Sequence, residues 1–142
     1  MDLYDRQIIG WSLSTSMKAA ETTLPAWQMA VKNRPIEGRL TFHSDRGIQY
    51  VCHAFTGLLK KHPTVLQSMS SKGNCWDNAV TESFFKVLKS EMVYLQTFQT
   101  RAVAKKAVFE YVEIWYNRQR RHSALGYLSP FEYYSGQLRQ IA

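Results

Sequence analysis

Two short runs of strand-forming residues constrain this chain more than any other feature. Residues 39–44 carry Leu40, Thr41 and Phe42, and residues 64–69 carry Thr64, Val65 and Leu66. Each is too short for a helix and rich in β-branched or bulky side chains, so each reads as a strand. Asp45-Arg46-Gly47 is the exit turn of the first run. Between the two, residues 49–62 read as a helix that buries Phe55, Leu58 and Leu59, and His62-Pro63 stops it. Strand, helix, strand is the order of an α/β layer fold.

The flanking stretches extend that alternation. Residues 6–14 read as a further strand, although a strand at the chain start needs a partner for its backbone groups. Residues 17–33 read as a helix whose apolar stripe is Met17, Ala20, Leu24, Trp27 and Val31. Pro25 either kinks this helix or moves its start to Thr22 or Thr23, leaving the proline in the tolerant first turn. Residues 70–77 are a polar loop. Residues 78–92 read as a helix capped by Asp77 or Asn78, with Val80, Phe84, Val87 and Leu88 inward and Glu82, Lys86 and Lys89 outward. A second helix covers residues 100–117, with Ala104, Val108, Tyr111, Val112 and Trp115 inward and Lys105, Lys106 and Glu113 outward. After turns at Gly126 and Pro130, residues 130–137 read as a last short helix.

Charge and cysteine use narrow the function classes. The formal net charge is +7 over 142 residues. Basic side chains from Lys86 to Arg121 alternate with tyrosines and a tryptophan. That mixture suits phosphate neutralisation plus base stacking. No apolar run reaches the ~20 residues of a membrane-spanning helix. The first residues lack the basic and apolar regions of a signal peptide. Cys52 and Cys75 match no zinc or redox spacing and read as free thiols in a reducing cytoplasm.

Asp45 and Glu82 are the candidate chemistry. A hard divalent cation wants carboxylate oxygens from different elements, and a strand exit and a helix start supply one each. Lys86 and Lys89 share the Glu82 face, where a nucleic-acid backbone would approach. Taken singly these residues have plainer readings. Glu82 and Lys86 form an ordinary i,i+4 pair, Asp45 is a turn residue, His43 a strand residue, and Arg118, Arg120 and Arg121 a solvated helix end.

Longer blocks decide between these readings. The stretches His43-Ser44-Asp45-Arg46-Gly47-Ile48-Gln49-Tyr50, Ser68-Met69-Ser70-Ser71-Lys72-Gly73-Asn74-Cys75-Trp76-Asp77-Asn78-Ala79 and Glu82-Ser83-Phe84-Phe85 resemble the catalytic core of bacterial insertion-sequence transposases. These cores are similar to retroviral integrases. The resemblance continues through Leu88-Lys89-Ser90-Glu91, Trp115-Tyr116-Asn117-Arg118 and Arg121-His122-Ser123-Ala124-Leu125-Gly126-Tyr127-Leu128-Ser129-Pro130, and covers residues 2–11. It implies a ribonuclease-H-like α/β fold and an Asp-Asp-Glu triad that cleaves and joins DNA with magnesium, or manganese in its place. Asp45 matches the second Asp and Glu82 the Glu, so both are the implied catalytic residues and metal ligands. The resemblance also implies that Lys89 and Lys86 contact DNA and that residues 70–77 are the active-site loop; Lys72, Arg118 and Arg121 are further candidate DNA contacts.

Two departures shape the expectation. Residues 46–81 separate the two carboxylates, one more than the family's usual interval. The family's first Asp has no match here, because Asp2 and Asp5 align with later, non-catalytic positions. The reading is therefore a partial integrase catalytic core over residues 1–142, lacking the first strand or two of its sheet. Residues 1–92 form the core portion and 93–142 a helical extension. The intact family transposes DNA, whereas this chain reads as an inactive fragment. Its alternative role is a regulator that binds DNA or transposase and inhibits transposition. The expected partners are transposon ends, target DNA, and a second copy or full-length transposase. The expected location is the bacterial cytoplasm, with no membrane.

Overall fold

In a computed structural model of the chain, residues 1–71 and 78–141 are described. The chain divides into two units, one of Ile9–Ala79 and one of Met1–Ile8 with Val80–Ala142.

In the first unit, the helix α1 spans Thr23–Asn33, after a 3₁₀ turn at Ala19–Glu21. Pro25 falls in the first turn of α1, where its missing N–H would have no intrahelical partner anyway. The later start excludes Met17, which is 76% exposed rather than part of the apolar stripe. Strand β1 is Leu40–Ser44 and β2 is Val65–Met69. They pair in parallel, from Leu40 opposite Val65 to Ser44 opposite Met69. A parallel pair needs a crossover, and two helices supply it, α2 (Ile48–Val51) and α3 (His53–Leu59).

The single helix expected over residues 49–62 is thus broken, at Cys52, which is extended with ψ 147°. The break has a packing reason. Tyr50 and Phe55 are five positions apart, which on one continuous α-helix would turn their side chains well away from each other. Broken at Cys52, both reach Phe42 of β1, with ring centroids 6.0 and 5.2 Å away. Trp27 of α1 closes the cluster, 5.4 Å from Phe42. Trp27, Phe55 and Leu59 are buried, and Leu24, Val31, Leu58 and Val65 pack around them.

Residues 6–14 form no strand. The part in this unit lies along α1 and its polar groups are answered mostly by side chains. Asn33 Nδ2–H donates to the Ile9 carbonyl (2.9 Å), Ser12 Oγ–H to the Glu21 carbonyl (2.7 Å), and the Trp11 N–H points at Met29 Sδ. Gly10 permits this approach, because a Cβ there would run into the Ala26 carbonyl and Ala30.

In the second unit, α4 is Ala79–Glu91, of which all but the first residue belongs to this unit. Helix α5 is Arg101–Phe109, and Thr100 caps it by accepting the Val103 N–H on its side chain. The helix then widens into a π-helix over Glu110–Tyr116. That widening explains a misplaced face. A period of 3.6 puts Trp115 inward with Tyr111, but the i→i+5 bonding of a π-helix aligns residues five apart. Tyr111 and Tyr116 are accordingly buried, as are Val112 and Asn117, and Trp115 is 46% exposed.

The start of the chain packs in this unit. Asn117 Oδ1 accepts the Ile8 N–H (2.9 Å) and its Nδ2–H donates to the Ile8 carbonyl (3.0 Å). The amide thereby replaces the ladder partner that a strand would need. Helix α6, Pro130–Ile141, begins with a capping box. The Ser129 N–H donates to Glu132 (2.9 Å) and the Glu132 N–H to Ser129 Oγ (3.2 Å), with Pro130 at the first helical position. The expected helix over 130–137 thus runs four residues longer.

Candidate functional site

Asp45 lies at the exit of β1, directly after the buried Ser44, and is itself exposed. Its Oδ1 accepts the Gly47 N–H at 2.8 Å, a one-sided turn bond that leaves Oδ2 outside it. A Cβ at Gly47 would meet the Asp45 carboxylate and the Gln49 amide, so a side chain there would make those two side-chain ends shift. Burial pushes the Tyr50 hydroxyl above its ordinary value, and the Asp45 charge adds to it.

The strand ends beside Asp45 are fastened by side chains. His43 contacts Ser68 Oγ through Nδ1 (3.0 Å) and Ser70 Oγ through Nε2 (3.2 Å). With both ring nitrogens engaged inside the sheet, His43 acts as a strand residue. The Ser70 N–H donates to the Ser44 carbonyl (2.9 Å), and Arg46 Nε–H donates to the Ser70 carbonyl (3.2 Å). Ser70, the first residue of the expected loop, is therefore held against the exit of β1. Lys72, Cys75 and Asp77 lie outside the described residues; Cys52 is a free thiol.

Glu82, Lys86 and Lys89 share the outward face of α4, at steps of four and three residues, and all three are exposed. Glu82 is in the first turn, where the helix dipole favours a carboxylate. Among the described residues no ion pair joins Glu82 to Lys86 within 4.0 Å. The plainer reading of the two as a helix salt bridge is not realised.

The inward face of α4 ends in a residue whose role the sequence reading did not assign. Glu91 accepts hydrogen bonds from Tyr111 (2.7 Å), from Arg120 Nη2 (3.0 Å) and Nε (3.1 Å), and from the Trp115 indole at 3.5 Å. Burial pushes the Glu91 carboxyl up, but Arg120, Tyr111 and Trp115 together hold it below its ordinary value. Burial and the Glu91 carboxylate push the Tyr111 hydroxyl well up. A signal for this cluster was present, in acidic, basic and aromatic residues that lie far apart in sequence. The tertiary fold brings them together on Glu91. A cleft of about 380 Å³ opens beside them, lined by Glu91, Met92, Leu95, Gln96, Tyr111 and Trp115.

The three arginines read as one solvated helix end separate into two kinds. Arg120 is committed to Glu91 and its guanidinium lies 5.8 Å from the Tyr116 ring centroid. Arg118 and Arg121 remain exposed, Arg118 lying 5.0 Å over the Phe131 ring. Among the described residues, no three acidic, histidine or cysteine side chains gather to hold a metal.

Comparison with known proteins bears on what these faces serve. Residues 1–75 match one integrase core domain family, and residues 82–138 match a second of the same description. The chain belongs to the integrase core family. It is 43% identical over 133 residues to the transposase InsF for insertion sequence IS3A of Escherichia coli K12, covering 94% of this chain and 46% of that protein. It is 40% identical over 137 residues to the transposase for insertion sequence element IS904 of Lactococcus lactis, covering 95% and 53%. The integrase-core chain thus spans about half the length of the curated relatives it matches. The resemblance read from the blocks around Asp45 and Glu82 is to this family. The α/β character of an integrase core agrees with the mixed helices and parallel strand pair. Among the described residues no helix is long and apolar enough to cross a membrane.

Proposed function

We propose that this chain is part of the catalytic core of an insertion-sequence transposase that acts on transposon ends and target DNA. The observation that carries the reading is the integrase-core match over both stretches bearing the carboxylates, with Asp45 in one and Glu82 in the other. In this reading Asp45 and Glu82 are catalytic metal ligands. Their chemistry suits magnesium, with manganese as a substitute, because both are exposed carboxylates outside any ion pair among the described residues. A divalent cation supplies, when bound, charge stabilisation at the transferred phosphoryl group and activation of the attacking oxygen. The chain's own part is to present the two carboxylates and to hold DNA through Lys86, Lys89, Arg118 and Arg121, with Lys72 a further contact.

Residues 1–92 form the core portion in this proposal and 93–142 its helical extension. In this proposal no residue of the chain takes the place of the family's first Asp, and the 142 residues by themselves are inactive in strand transfer. They retain binding to DNA, to a second copy or to intact transposase, and through it can restrain transposition.

A strand-transfer assay on the purified chain with magnesium or manganese tests this. The expected result is DNA binding without joined product. Product formation that Asp45→Ala abolishes would overturn the inactive reading and keep the metal assignment.

A further inference from the structure

Phe85 stands out on α4 because it is an aromatic residue on the polar side of an amphipathic helix. At 3.6 residues per turn it projects about 60° to one side of Glu82; Lys89 lies between them, about 40° from Phe85, and Lys86 lies on the far side of Glu82, about 100° from Phe85. Phe84, its neighbour, is 8% exposed, whereas Phe85 is 51% exposed. An isolated exposed apolar residue ordinarily needs no explanation. Phe85 differs in being held. Its ring meets the Phe84 ring at 5.3 Å, edge to face, and Phe84 in turn meets the buried Tyr116 at 5.0 Å. Three aromatic rings thus run from the interior of the unit to its surface and end in an open face beside two lysines. Neither lysine has an ion-pair partner among the described residues.

We propose that Phe85 is a stacking platform for an unpaired nucleobase at a DNA end, and that Lys89, with Lys86 farther round the helix, holds the phosphates that lead to that base. The inference rests on the DNA-binding reading above. The occupant follows from the chemistry of the patch. A flat, pinned aromatic face takes a planar π-system at little entropic cost. The ammonium groups on the same helix face favour one that carries phosphates. A base inside a duplex cannot present its face, so the partner is an unpaired base, as at an overhang or a frayed terminus.

The experiment uses the 142-residue chain and two fluorescent duplexes of equal charge and length. One is blunt and the other ends in a short 3′ overhang containing 2-aminopurine, whose emission falls on stacking. The wild-type chain should bind the overhang about tenfold more tightly than the blunt end, with quenching. Phe85→Ala should abolish both the preference and the quenching, and Phe85→Trp should restore both. Replacing Lys86 and Lys89 together by Ala should weaken both complexes alike and lower the salt slope by about two, while the overhang preference survives. Equal wild-type affinity for the two DNAs, or a preference that persists in Phe85→Ala, overturns the stacking assignment and leaves the DNA reading standing. Failure to bind either duplex overturns the DNA reading and this inference with it.

Discussion

Trp27, Phe42 and Phe55 close the core of residues 9–79 through ring contacts, whereas the other unit joins its own ring contacts, Phe84 on Tyr116 among them, to a set of long-range polar side-chain bonds. In that second unit Asn117 grips the Ile8 backbone, Glu91 gathers donors from three residues, and Ser129 and Glu132 cap each other. The contrast follows from what each unit must satisfy. The first has a parallel strand pair whose crossover covers one face with rings. The second contains no strand ladder among the described residues, apart from a single bridge between His122 and Leu128. Its irregular backbone needs side-chain partners, because an unmet buried polar group costs about 1–3 kcal/mol.

The sharpest way to break the comparison is to empty the aromatic core. Phe55 is 1% exposed and touches the rings of Phe42, Tyr50 and Trp27. Phe55→Ala should cost about 3–5 kcal/mol. Native-state hydrogen exchange should show the loss in the amides of α3, β1 and β2. If those amides keep their protection, the ring cluster is not what holds this unit.

A smaller effect, in the other unit, follows from Asn117→Ala. Asn117 is 3% exposed, and the substitution strands both the N–H and the carbonyl of Ile8. The expected cost is about 2–4 kcal/mol. Its signature is a fast-exchanging Ile8 amide. Asn117→Asp keeps an acceptor for the N–H, so it should restore that amide's protection in part, but not the partner of the carbonyl. Equal exchange in all three proteins would mean that water serves Ile8 as well as the amide does.

How much could be read in advance divides along the same line. Apolar period and strand-forming runs gave β1, β2 and α1, because those elements bury one kind of side chain against another. The period failed at Cys52, where Tyr50 and Phe55 both had to reach Phe42. It failed again at Trp115, where a π-turn changed the repeat from 3.6 toward five. Neither break is encoded in local propensity; both answer tertiary contacts. The residues 6–14 look like a strand by composition, yet their backbone is met by Asn117 and Asn33, which lie far along the chain. For the candidate site, the outward placement of Glu82, Lys86 and Lys89 was legible because exposure on a helix follows from spacing alone. Arg120 was not, since its sequence neighbours Arg118 and Arg121 are exposed while it turns to Glu91.

The mildest test concerns that ion pair and its dependence on pH. Both partners are partly exposed, with side chains 24% and 35% accessible, so Arg120→Ala should cost only about 1–2 kcal/mol at neutral pH. Glu91 has its folded-state pKa below the ordinary 4.5. A depressed carboxylate contributes its stabilisation fully above the unfolded value and loses it as pH falls through the folded one. The gap between wild type and Arg120→Ala should therefore be widest near neutrality and narrow below pH 4.5. His122 adds an earlier window. Burial, with Arg120 and Arg6 nearby, lowers it from 6.5, so the folded state resists a proton that the unfolded chain accepts. The wild-type unit should begin to lose stability as pH drops below 6.5. In Arg120→Ala that early loss should be smaller, since one of the two charges opposing His122 is gone. Arg120→Lys separates the contributions, because it keeps the charge near His122 but cannot form the two-pronged contact with Glu91. Denaturant midpoints followed by hydrogen exchange of the second unit's helix amides between pH 7.5 and pH 3.5 would read both windows. If Arg120→Lys matches wild type throughout, charge alone holds Glu91 and the fork geometry contributes nothing.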